Sequence, residues 1–133
     1  MANLDLDAAV AARAFVQGLE GDETSELLLA AAALRDHGVY ALFHCCARMG
    51  CLHLARGCLT FLRSNGFAVD PCCAGDACNE VEEHIATDLA ATFRARRLLL
   101  RFFDYAYLHA CDRAAQLEGA AAAATAVEPA LAD

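Results

Sequence analysis

The sequence predicts an all-α protein, a compact bundle of five or six helices that ends in a long or kinked C-terminal helical stretch. Three observations predict it. Alanine and leucine dominate the apolar residues, and both favour helix. Strand formers are scarce, with Ile85 the sole isoleucine and few segments rich in β-branched residues. Proline occurs only at Pro71 and Pro129, so apolar residues recur at helical spacing between glycine breaks rather than between proline turns. A chain of 133 residues is the size of one domain and can build a core without disulfide or metal staples. That domain is expected over residues 1–118, with 119–133 a low-complexity, flexible tail.

The first helix is expected over Leu6–Leu19, with Val10, Ala14 and Phe15 inward, ending at the glycines Gly18 and Gly21. Asp22 or Thr24 can cap the second, Glu23–Arg35, and Glu26 suits the positive end of its dipole. Its bulky residues are Leu27, Leu28, Leu29 and Leu34, and His37-Gly38 ends it. A third helix runs from Val39 to about Met49, where Gly50 breaks the chain, and a fourth from Cys51 or Leu52 to Ser64, stopped by Asn65-Gly66. Tyr40, Leu42, Phe43 and Cys46 of the third are expected to face Leu54, Ala55, Cys58, Leu59 and Leu62 of the fourth.

Residues 68–75, AVDPCCAG, read as a loop with Pro71 forbidding helix at its centre. Helix restarts at Asp76 or Asn79. From Glu80 to Glu118 breakers are nearly absent, so one helix or two with a kink near Arg94–Arg97 are both open. Its inward set by spacing is Val81, Ile85, Leu89, Phe93, Leu99, Leu100, Phe103, Tyr107 and Cys111.

The formal net charge is −8, and all ten basic residues are arginine. Phosphate binding needs clustered positive charge, so a general affinity for nucleic acid or for an anionic membrane is not expected. No uncharged apolar run is long enough to span a bilayer. The opening MANLDLD is acidic and polar rather than signal-like, which predicts an intracellular protein, cytoplasmic or nuclear, with its eight cysteines mostly reduced.

Those cysteines invite a zinc reading, since zinc takes four converging soft ligands. No CxxC occurs, and the best set is Cys72, Cys73, Cys78 and His84 across the loop and the next helix; the main expectation is structural thiols and no metal or other cofactor. His44-Cys45 are helix neighbours whose side chains diverge, so a thiolate–imidazole pair is not expected. Phosphate loops, HExxH and GxSxG are absent, and the chain reads as a non-enzyme. Arg94, Arg97 and Arg101 share one face of a helix and, with Phe102, are the candidate partner-binding residues.

The most patterned stretch is Val39–Pro71. Leu42, Gly50, Ala55, Leu62, Gly66 and Asp70-Pro71 fall where one pentatricopeptide repeat places its residues, so the stretch resembles that helical hairpin. Ala47, Cys51, Leu54, Ala55 and Phe61 are similar to the helix pair that opens a BACK domain after a BTB domain. As a class, a small acidic helical bundle with many reduced cysteines resembles the accessory proteins of large DNA viruses. That resemblance implies a protein–protein interaction module that modulates host apoptosis or innate signalling by binding a protein partner such as a helical peptide, or a second copy as a homodimer. An RNA-binding or zinc-stabilised helical module is the alternative.

Overall fold

The glycine breaks and capping residues of the chain divide it into six α-helices. The computed structural model describes residues 4–18 and 23–132. Among these, α1 is Leu4–Gln17, α2 Glu23–His37, α3 Val39–Met49, α4 Leu52–Ser64, α5 Ala77–Val81 and α6 Leu89–Ala132, with no strand. The all-α prediction is therefore met, including its long C-terminal helix. Asp22, one proposed cap of α2, lies outside the described residues, as do Leu19 and Gly21 at the expected end of α1. Side chains from 120 onward also lie outside them.

Gly50 ends α3 because it sits at φ 69°, ψ 22°, a left-handed conformation that glycine adopts without steric cost. Its N–H and that of Cys51 close back on the Ala47 and Cys46 carbonyls. The chain then enters α4 at once. α4 buries Leu54, Ala55, Cys58, Leu59 and Leu62 as its spacing predicts, together with Phe61. α3 packs more extensively on α2, across the one-residue link Gly38, than it does on α4.

The loop expectation at 68–75 needs correction. Pro71 opens a 3-10 turn, Pro71–Asp76, because at a first helical position its missing N–H costs nothing. Asp70 caps that turn through its carboxylate, which accepts from the Cys72 N–H at 2.9 Å. α5 follows and runs into a π-turn over Glu82–Ala86.

The break in the long C-terminal stretch falls at Thr87–Asp88, not at Arg94–Arg97. Asp88 starts α6 by accepting from the N–H groups of Ala90 (3.0 Å) and Ala91 (3.4 Å). The Thr92 hydroxyl reaches back across the break to donate to the Ile85 carbonyl at 2.7 Å. A π-turn followed by a fresh helix start resets the angular phase of the chain. Val81 and Ile85 are buried, but the stripe they begin does not continue to Leu89 and Phe93; α6 buries Leu99 and Phe103 as spacing predicts, together with Ala95, Leu98, Phe102, Ala106 and Ala110.

Other inward assignments shift for a related reason. α1 lies along α6, and it makes that contact with Ala8, Ala12, Phe15 and Val16, leaving Val10 and Ala14 exposed. Small residues let the two backbones approach. α2 turns Leu27, Ala30 and Leu34 inward and exposes Leu28 and Leu29, and Tyr40 of α3 is likewise exposed.

Two arginines of α6 hold the ends of other helices. Arg96 donates from Nε to the Leu34 carbonyl (3.4 Å) and from its guanidinium to the Arg35 carbonyl, and Arg113 donates to the Val16 carbonyl at 3.0 Å. The last carbonyls of a helix have no partner within it and carry its negative dipole end, so a cation placed there satisfies both.

The core centres on Phe102. Its ring lies 5.6 Å from Phe15, 5.2 Å from Phe61 and 5.7 Å from Phe103, bringing α1, α4 and α6 together through aromatic contacts. Gly57 makes room for this cluster, because a Cβ there would meet Phe15 Cδ2 at 2.8 Å.

Candidate interaction face

α6 carries two apolar stripes. One forms the core; the other looks outward. Spacing groups Leu89, Phe93, Leu100, Tyr107 and Cys111 as inward, and they do share one side of the helix, but that side is turned towards solvent, with Leu100 alone packing against the edge of the core. Leu89 is 71% exposed, Phe93 61% and the adjoining Leu108 57%, while Leu100 is half-buried and Tyr107 and Cys111 are exposed. Large apolar side chains grouped in this way on one surface mark an interaction site more often than chance exposure.

Two grooves border this stripe. One, of about 480 Å³, lies between α2 and α6, with Leu28, Ala31, Phe103, Tyr107 and Leu108 supplying its apolar wall and Arg35 and Asp104 its charges. The other, of about 630 Å³, is formed by α6 alone, from Ala90, Phe93 and Leu100 with Arg94, Arg96 and Arg97. The stripe therefore has a basic half before Leu100 and a mixed half after it. The Cys111 thiol, hydrogen-bonded to the Tyr107 phenol, raises its pKa above the usual range, so the ring stays neutral at physiological pH.

The sequence-predicted site residues separate in the structure. Arg94 lies 4.3 Å over the ring of buried Phe67, a cation–π contact that covers the aromatic face. Arg97 lines the second groove, and Arg101 is exposed. Phe102 must be withdrawn from a surface role: at 1% exposure it is the aromatic hub of the core, and no partner can reach it without unfolding α6 from α1 and α4. The exposed large apolar residues of α6 are instead Leu89, Phe93, Tyr107 and Leu108.

Cys72, Cys73, Cys78 and His84 do not converge. Among the described residues no group of three or more histidines, cysteines or acids is arranged to hold a metal ion. His84 uses Nε2 to accept the Ala68 N–H at 3.1 Å, and Cys73 lies 3.8 Å from Asp70 Oδ2. Burial, with Asp70 and Glu80 nearby, raises the Cys73 thiol, and burial with Glu82 raises that of Cys78. His44 stacks on Tyr40 at 6.5 Å rather than pairing with Cys45.

No family model, curated protein or solved structure matches the chain. No helix among the described residues is long and apolar enough to cross a membrane.

Proposed function

We propose that this chain is a non-enzymatic protein–protein interaction module that uses the outward stripe of α6, with Leu28 of α2 beside it, to bind a helical segment of a protein partner. One observation carries the reading: α6 exposes Leu89, Phe93, Tyr107 and Leu108 while an independent stripe of the same helix builds the core. A second apolar stripe adds nothing to the fold and lowers solubility, and grooves flanked by such ridges suit a helix laid alongside. The finer proposal, an accessory protein of viral type acting on host apoptosis or innate signalling, rests on the class resemblance of small, acidic, cysteine-rich helical bundles.

The non-enzymatic part of the reading is supported by the thiols. Burial raises Cys46 to about 12 and Cys58 well above 9.0, the direction opposite to nucleophile activation. The RNA-binding alternative draws little from the arginine cluster, since Arg96 is committed to carbonyls of α2 and Arg94 to Phe67 on a chain of net charge −8.

Affinity capture from cells tests the module. Wild-type chain is expected to retain a defined partner, and Phe93→Glu together with Tyr107→Glu is expected to release it while the helical circular dichroism is unchanged. Capture that is indifferent to both substitutions sinks the assignment of this face.

A further inference from the structure

The outward stripe of α6 is symmetric about Leu100. Phe93 stands seven residues before it and Tyr107 seven after; Arg97 stands three before and Asp104 four after. Seven residues are two turns of a helix paired with another, so Phe93, Leu100 and Tyr107 line up as one seam. We propose that a second copy of this chain occupies the stripe, with the two α6 helices antiparallel and related by a two-fold axis through Leu100. This rests on the interaction reading above and names the partner.

An antiparallel two-fold contact sets each residue against the one equally distant on the other side of the axis. Leu100 then meets Leu100 of the second copy. Phe93 meets Tyr107, and by symmetry Tyr107 meets Phe93, so both ends of the seam close on aromatic pairs. Arg97 and Asp104 of the other copy are one residue out of exact register, about 1.5 Å along the helix axis, which leaves them within reach on the same side of the seam, and the same ion pair forms twice. In a parallel pair Arg97 would face Arg97 and Asp104 would face Asp104, placing like charges together at both sites. Charge thus selects the antiparallel arrangement, while the apolar seam supplies the attraction.

The shape of the surface agrees with this pairing. The groove of α6 before Leu100 is bordered by Arg94 and Arg97, and the groove after it by Asp104, Tyr107 and Leu108. A two-fold rotation brings the mixed, aromatic half of one copy, with Asp104 on α6 itself, onto the basic half of the other. From Leu89 to Cys111 the stripe is on the order of 30 Å long at about 1.5 Å rise per residue, enough for several turns of contact. Leu28 and Arg35 of α2 flank the seam and widen it. A lone acidic peptide would satisfy Arg97 but would leave Asp104 facing its own kind of charge, which makes a second copy the better occupant.

Sedimentation equilibrium of the purified chain, with light scattering at matched concentrations, tests the pairing. Wild-type protein is expected at twice the mass of one chain. Leu100→Glu, or Phe93→Glu at the more exposed end, is expected to weaken the dimer by at least about tenfold. Phe93 is exposed and off the core, whereas Leu100 is half-buried and packs against its edge, so thermal unfolding reports whether the fold survives, and Phe93→Glu keeps the test valid if Leu100→Glu disturbs α6. Arg97→Asp and Asp104→Arg should each weaken the dimer, and the two together should restore it, because the ion pair re-forms with its signs exchanged. The single effects should shrink in high salt.

A wild-type chain that stays monomeric up to on the order of 100 μM overturns the pairing, since weaker self-association has little meaning at cellular concentrations. So does a dimer indifferent to Phe93→Glu and Leu100→Glu, or a charge swap that restores nothing. A monomeric chain whose partner capture is still lost on Phe93→Glu overturns the second copy as occupant and leaves the interaction module standing. Capture and dimer both indifferent to Phe93→Glu remove the two readings together.

Discussion

Cys46 and Cys58 keep their protons because the thiolate form would lie in the core without water. Burial is the largest cause of both shifts, with neighbouring cysteines adding to it, and the Cys46 thiol rises from 9.0 to about 12. The folded pKa lies above the unfolded one, so the stability each thiol contributes is whole below pH 9 and is lost as pH rises above it, for Cys46 up to about 12. The slope is about 1.4 kcal/mol per pH unit for each thiol. Chemical denaturation measured from pH 8 to pH 11 should therefore show a loss of stability that Cys46→Ser or Cys46→Ala reduces. Thiol labelling of the native protein should reach exposed Cys72 and Cys111 before buried Cys46 and Cys58. At Gly57 two effects oppose one another. Alanine favours helix over glycine by about 1 kcal/mol, yet its Cβ would stand 2.8 Å from the Phe15 ring. That ring is held by His53 stacked at 4.9 Å on one side and Phe102 at 5.6 Å on another, so it cannot retreat freely. Overpacking of this kind costs roughly 1–3 kcal/mol, and Gly57→Ala is expected to be net destabilising in urea denaturation.

At the scale of elements, long-range arginines do what local caps do elsewhere. Arg96 closes the C-terminal end of α2 and Arg113 that of α1, both from α6. Each bond to a charged donor is worth about 1.5–3 kcal/mol, less when partly exposed to water. Arg96→Ala and Arg113→Ala should each lower stability by about 1 kcal/mol, while exposed Arg97→Ala should leave it within about 0.5 kcal/mol. Neither role was legible in the sequence, where Arg96 is one member of a basic cluster and its acceptors are residues some sixty positions earlier. What was legible depended on local signals. Gly38, Gly50 and Asn65-Gly66 punctuate the chain visibly, so α2, α3 and α4 lie where spacing places them, and every residue of α4 expected inward is buried, though Phe61, buried beside them, is not among those expected. The start of α6 also had a local signal, Thr87-Asp88, but a long stretch without glycine or proline concealed it. Missing that break carried the phase of Val81 and Ile85 forward and turned an outward stripe into an expected core. The error was informative, because residues that keep helical spacing on the solvent side are those a partner can use.

For the molecule as a whole, α6 is both the spine of the fold and the candidate binding element, and its two stripes separate those roles. Phe102 and Phe93 make the contrast measurable. Phe102, 1% exposed, joins α1, α4 and α6 through its contacts with Phe15 and Phe61, so Phe102→Ala removes a shared contact from three helices at once. A buried phenylalanine replaced by alanine costs about 3–5 kcal/mol, a large part of the roughly 5–15 kcal/mol that holds a domain together. Its loss should appear as a lowered midpoint of a single cooperative unfolding transition rather than as local fraying, and any loss of binding that follows would be a consequence of unfolding. Phe93, 61% exposed on the other stripe, should behave in the opposite way. Phe93→Ala is expected to leave the unfolding midpoint nearly unchanged and to weaken association alone. Stability and association measured on the two variants side by side decide the matter: a Phe93 variant as unstable as the Phe102 variant would mean that both stripes serve the core, and that α6 has no face to spare for a partner.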